Sequence, residues 1–193
     1  MDALSALHNR VSVNILEEPA PTESQVNDIV RAGLRACDHR NLRPWSYLLI
    51  EGEARHAFGT LMADVMEKQR GTPLEPEFRR KIQCKPLRAP SIIVVAADIK
   101  EHDKVPEAEQ IMSAAASAQM MMVAAHALGV GAIWRSGSIM FEHAMLEGLG
   151  LGANHRLIGF LYLGKPVVTK LVPELDPDDF IKRWPSKYEL NQR

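Results

Sequence analysis

Between Gln110 and Trp134 the chain carries no Asp, Glu, Lys or Arg. That length matches a membrane-spanning helix, which needs about 20 predominantly apolar residues. The stretch nevertheless contains Gln110, Ser113, Ser117, Gln119 and His126, and it leans on Ala rather than Leu or Ile. The pattern therefore describes a helix, from Glu107 to about Leu128, buried all round inside a protein and within an oligomer rather than in lipid. Gly129 is well placed to end it. No membrane association is expected.

Composition agrees with a packed protein. With 193 residues, 46% hydrophobic and 24% charged, the chain can build a core without disulfides or metal. A net charge of -1 gives no basic excess for nucleic-acid phosphates, so a nucleic-acid partner is not expected. Cys37 and Cys84 form no CxxC, which fits a reduced, cytoplasmic protein. Met1-Asp2-Ala3-Leu4 shows no basic run ahead of an apolar stretch, so no secretory leader is expected.

Local patterns place the remaining elements. A first helix spans about Asp2 to Asn9, with Leu4 and Leu7 on one face, and Arg10 to Ile15 is irregular. Thr22 opens a second helix, and Gln25 three residues on makes a capping box. Val26, Ile29, Val30, Gly33 and Leu34 then repeat at the spacing of one buried helical face. Cys37 to Pro44 is a polar loop, Trp45 to Ile50 a strand, and Ala54 to Met66 an amphipathic helix. Gly71 to Pro90, rich in proline and charge, reads as an excursion with at most short helices. Ser91 to Ala97 is a central strand, Gly131 to Arg135 a short one, and Arg156 to Leu163 a last strong one, with a helix over Phe141 to Glu147. Strands and helices are interspersed without a regular βαβ beat, so the class is α+β with a mixed sheet. Residues 1–193 read as one domain whose end, about 166–193, with Pro166, Pro173, Pro177 and Pro185, is an extended tail.

The usual chemical signatures are missing. There is no GxGxxG, no GxxxxGK[ST], no HExxH and no GxSxG, so no metal site and no catalytic side-chain set is expected. What remains is Arg, Ser and His at element ends: Arg10 and Ser12, Arg35 with His39 and Arg40, and Trp134-Arg135-Ser136. Singly each has an ordinary reading: Arg10 as a solvated terminus, Arg35 as a partner for its own helix dipole, His39 as a loop residue, Arg135 as half of a surface ion pair. Together they describe an anionic ligand gripped from several segments.

At these residues the chain resembles the nitroreductase family of FMN-dependent oxidoreductases, and within it the small YdjA-like members. The resemblance rests on Met1 to Leu4 with Asn9-Arg10 and Ser12, on Glu18-Pro19-Ala20-Pro21-Thr22, and on Arg31-Ala32-Gly33 with Asp38-His39 and Pro44-Trp45. It continues through Lys104-Val105-Pro106, Ile133 to Gly137 and Gly159 to Gly164. It implies an α+β sheet flanked by helices and an interlocked homodimer with two FMN sites at the subunit interface. FMN would be held by Arg10, Val11 and Ser12, by Trp134, Arg135 and Ser136, and by Arg35 and His39 from the partner subunit. The stretch Ala124, Ala125, His126, Ala127, Leu128 and Gly129 would face the nicotinamide nucleotide. Three positions depart from the pattern: Val11 stands where Arg is usual, Ile15 where a second basic residue is, and Cys37 where Pro is. Cys37 reads as a small buried hydrophobe.

The implied activity is hydride transfer from NADH or NADPH, through FMN, to a nitro compound or similar acceptor in a ping-pong cycle. Two rivals share the binding residues: an oxygen-dependent enzyme that fragments the flavin, and a flavin-binding module without turnover.

Overall fold

The computed structural model describes residues 1–168 and 170–184; Pro185 and the rest of the expected tail lie outside them. Asp2 caps α1 (Ala3–Asn9), its carboxylate accepting the Ser5 N–H at 3.1 Å. Leu4 and Leu7 share a face as expected, but both stay exposed in this chain and only Ala6 is buried. The capping box opens α2 (Glu23–Gly33): Gln25 N–H donates to Thr22 Oγ1 at 3.3 Å, and the Gln25 side chain accepts the Thr22 N–H at 2.9 Å. Ile29 and Gly33 are buried, Val26 and Val30 half-buried, and Leu34 is exposed.

β2 (Trp45–Glu51) leads into α3 (Ala54–Arg70), which Gly71 ends at φ +70. The proline-rich excursion folds into α4 (Pro76–Gln83) and a 3-10 turn, Lys85–Arg88. β3 (Ser91–Asp98), α5 (Glu107–Ala127), β4 (Gly131–Arg135), α6 (His143–Gly148) and β5 (His155–Pro166) complete the layers. A 3-10 turn at Ser138–Phe141 delays α6 by two residues relative to the expected start. Leu16–Glu17, expected to follow an irregular stretch, forms a short strand by pairing with Lys165 and Pro166; we label it β1.

β3 lies between β2 and β5, β4 pairs with the opposite edge of β5, and β1 pairs with its last two residues. Every described pairing is antiparallel, which corrects the expected mixed sheet. β3 and β4 do run the same way, linked through α5. β5 then returns between them and pairs antiparallel with both, so no two neighbours are parallel.

Side chains of β3 alternate between two cores, as the period of a strand requires. Ile92, Val94 and Ala96 face α3 and α6, while Ile93, Val95 and Ala97 face α2 and α5. On β5, Phe160 and Tyr162 join the first core, Leu161 and Leu163 the second. Leu157 and Ile158 have the opposite parity, because the register slips by one residue where Val95 faces Gly159 and Ala96 faces Leu157. That slip is a β-bulge.

α5 departs from the expectation of complete burial. Ser113, Ala114, Ser117, Ala118, Met121, Met122 and Ala125 are covered, but Met112, Ala116 and Met120 form an uncovered stripe, Met112 being 66% exposed. The helix spends its buried polar groups on staples. Ser117 meets the Tyr47 hydroxyl at 2.5 Å, Ser113 donates to the Cys37 carbonyl at 2.7 Å, and Gln110 bonds both the N–H and the carbonyl of Lys100. Among the described residues no helix is long and apolar enough to cross a membrane.

Candidate functional site

A cleft of about 480 Å³ opens between α3, the Lys85–Arg88 turn, the end of β4 and the middle of β5. It is lined by the apolar Met62, Met66, Ile139 and Phe160 and by the cations Lys85, Arg88 and Arg135. β4 turns Trp134 and Arg135 to opposite faces. The Trp134 indole donates to the Ile158 carbonyl at 3.2 Å, whereas the Arg135 guanidinium sits 5.6 Å from the centre of the Tyr162 ring. The indole can approach this closely because residue 159 is glycine: a Cβ there would run into the Trp134 ring.

The electrostatics of the cleft are one-sided. No Asp or Glu lines it, and among the described residues Lys85, Arg88 and Arg135 make no ion pair. Arg135 Nε is buried and has no hydrogen-bond partner. Burial lowers the pKa of Lys85 below the usual lysine value, and the positive charges of Arg88, Lys81 and Arg135 lower it further. Burial pushes the Tyr162 hydroxyl up to about 12, against the opposing pull of Arg135 and Arg88. A site that gathers cations and supplies no acid is prepared for an anionic or electron-accepting ligand.

The outer edge of β4 adds backbone groups. Val13 N–H donates to the Ala132 carbonyl at 2.9 Å on the side away from β5. Both backbone groups of a residue in an antiparallel strand point the same way, so those of Trp134 face the same outer edge two residues on. Arg10, Val11 and Ser12 lead directly into that Val13 contact. Val11 lines a second cavity, about 290 Å³ and mainly apolar, with Val13, His126, Gly129, Gly131 and Pro166. The Ala124–Gly129 segment therefore meets the Arg10–Ser12 segment rather than the Trp134–Ser136 cleft. Within it Ala125 is fully buried, and Gly129 ends the helix at φ +74.

Arg35 and His39 stand apart from both. Arg35 lines a polar cavity with Asp38, Asn41, Arg43 and Trp45, and His39 Nδ1 lies 2.7 Å from Glu109 of α5. The loop that follows His39 is strained, with Arg40, Asn41 and Arg43 in the left-handed region at φ 64, 54 and 50. It is held by the Asp38 carboxylate, which accepts the N–H groups of Leu42 and Arg43 at 3.1 and 2.7 Å. Lys100 Nζ closes the other side on the Leu42 carbonyl at 2.6 Å. Strain of this kind persists only where surrounding contacts over-determine it, and it gathers at functional loops. Cys37 is exposed, contrary to the buried reading, since its backbone rather than its thiol meets α5.

Reading the sequence missed Lys85, Arg88 and Tyr162 as site residues. The only local signal was a Lys-Pro-Leu-Arg run just ahead of the central strand.

Comparison with known proteins gives one family. The model of the Nitroreductase family matches residues 7–165. YdjA of Escherichia coli strain K12, named as an NAD(P)H nitroreductase, is 42% identical over 166 residues, covering 86% of this chain and 89% of its own. A nitroreductase-like family protein from Bacillus cereus superposes with a TM-score of 0.82 at 19% identity, over 96% of this chain and 97% of its own. A Desulfovibrio desulfuricans protein solved as a nitroreductase complex with FMN gives a TM-score of 0.70 at 23% identity, over 96% and 98%.

Proposed function

The chain belongs to the nitroreductase family, and from that premise we propose that it is an FMN-dependent oxidoreductase taking hydride from NADH or NADPH and delivering it to a nitro compound or a similar acceptor. The observation that carries this reading is the acid-free cleft in which Lys85, Arg88 and Arg135 converge beside the outward-facing backbone of Trp134. Bound FMN supplies the hydride-accepting and hydride-donating chemistry; the protein supplies orientation and charge. Arg10 and Ser12 hold phosphate and ribityl oxygens through charge-assisted hydrogen bonds. The Trp134–Ser136 segment would line the flavin ring, and the three cations would favour negative charge there.

No side chain in the cleft is required as acid or base, since the acceptor's protons can come from water. The cleft's titratable groups are Lys85, Arg88, Arg135 and Tyr162, and a hydroxyl at about 12 is poorly matched to proton transfer near neutrality. Arg35 and His39 complete the site from a second subunit, because one chain holds them in cavities separate from the cleft. The uncovered Met112 stripe, and the exposed Leu171 and Trp184, supply apolar surface for such a homodimer. We place it in the cytoplasm, as the two free cysteines suggest.

The test is to identify the bound flavin by mass after purification, then measure initial rates at several acceptor concentrations. FMN and parallel double-reciprocal lines are the expected result. Protein that fails to take up FMN, or lines that intersect, would overturn it.

A further inference from the structure

The cleft holds more positive charge than a flavin ring can balance. With its phosphate assigned to Arg10 and Ser12, a flavin ring brings at most one negative charge to Lys85, Arg88 and Arg135. Two cations are left over, with no carboxylate lining the cleft to meet them. Glu142, near one rim, is engaged with Gln69 at 2.8 Å, and Gln69 with Ser138 at 3.0 Å. Arg88 is exposed at the mouth, and Arg135 Nε has an unused donor. Met62, Met66 and Phe160 line the same cleft, Phe160 as the cross-strand partner of Arg135.

Resting on the proposed reaction, we propose that this cleft selects acceptors that carry a carboxylate or comparable anionic group on a planar ring, with Arg88 and Arg135 meeting the anion and Met62, Met66 and Phe160 meeting the ring. Arg88 is then a specificity-determining residue. Burial first, and the charges of Arg88, Lys81 and Arg135 next, lower the pKa of Lys85; a bound anion opposes that shift, so binding weakens as pH rises through the lowered value.

The experiment compares 4-nitrobenzoate with 4-nitrobenzyl alcohol on the FMN-loaded enzyme. The two differ mainly in charge. A charge-assisted contact partly open to water supports roughly 10-fold discrimination in kcat/KM in favour of the benzoate. Arg88→Gln should bring that ratio close to unity, Arg88→Lys should keep most of it, and molar salt should compress it. A second arm measures binding of unreactive benzoate and benzyl alcohol by calorimetry. If no nitro compound is reduced, yet benzoate binds more tightly and Arg88→Gln removes the difference, the reaction is wrong and the anion site stands. Equal binding of benzoate and benzyl alcohol by the parent overturns the anion site. So does an Arg88→Gln variant whose benzoate preference is intact while its KM for NADH or NADPH has risen, because the cations then serve the dinucleotide.

Discussion

Replacing Gly159 with alanine tests how the fold seats Trp134. Gly159 is the bulge residue of β5, where the pairing with β3 slips by one. A Cβ built there runs into Nε1 of Trp134, comes within 2.7 Å of its Cδ1 and lies 2.9 Å from the Arg135 carbonyl oxygen. Neither β4 nor the indole can retreat freely, since β4 is paired to β5 and the indole N–H is bonded to Ile158. Overpacking of this kind costs about 1–3 kcal/mol, or roughly 2–12 °C in melting temperature for a chain of this length. Trp134→Phe removes the colliding Nε1 but not the Arg135 carbonyl, so the double variant should recover part of the loss rather than all of it. The assay is urea unfolding of the flavin-free protein at one fixed concentration, followed by circular dichroism for parent, both single variants and the double. A coupling of about 0.5 kcal/mol or more with the stabilising sign is expected. Strict additivity, or a Gly159→Ala variant as stable as the parent, would refute the claim that glycine is required for the indole.

Three further outcomes follow from particular contacts. Arg10→Ala should weaken FMN about 10- to 150-fold, the value of a hydrogen bond to a charged group, while Arg31→Ala, paired only with Asp28 on the surface, should not; equal retention by both in fluorescence titration removes Arg10 from the site. Ser117→Ala strands the Tyr47 hydroxyl and should cost about 1–3 kcal/mol, whereas adding Tyr47→Phe should return part of it; a double variant less stable than Ser117→Ala alone in denaturant melts contradicts the staple. Glu67 is held below its usual pKa, first by the Leu74 N–H and then by Arg79, so it adds stability above pH about 4.5 that is lost as pH falls through its lowered folded value. The pH–stability curve of Glu67→Gln should accordingly converge on that of the parent in acid, and parallel curves across that range would count against the pairing.

What the chain determined by itself is what neighbouring residues can signal. Thr22 and Gln25 make a helix start from four residues, Gly129 ends a helix, and the Ser91–Asp98 run announces a strand covered on both faces. The charge-free helix was legible for the same reason. Arg10, Arg35, His39 and Trp134 to Ser136 came as candidates from their places at element ends and from a family resemblance, not from any mutual spacing. The tertiary structure decided whatever depends on closing long loops. β5 inserts between β3 and β4, which abolishes the parallel pairing that the α5 crossover suggests. The need for glycine at the bulge is hidden in an apolar run that looks uniform, because the side chain that would meet a Cβ at 159 is Trp134 on another strand. The left-handed loop at Arg40, Asn41 and Arg43 is held by Asp38 and by Lys100, far along the chain. Lys85 and Arg88 become site residues only when the excursion after α3 folds back over β4 and brings three like charges to one cleft. Each of these is a contact between segments that local propensity treats independently, and their energies favour the arrangement only after the sheet has assembled.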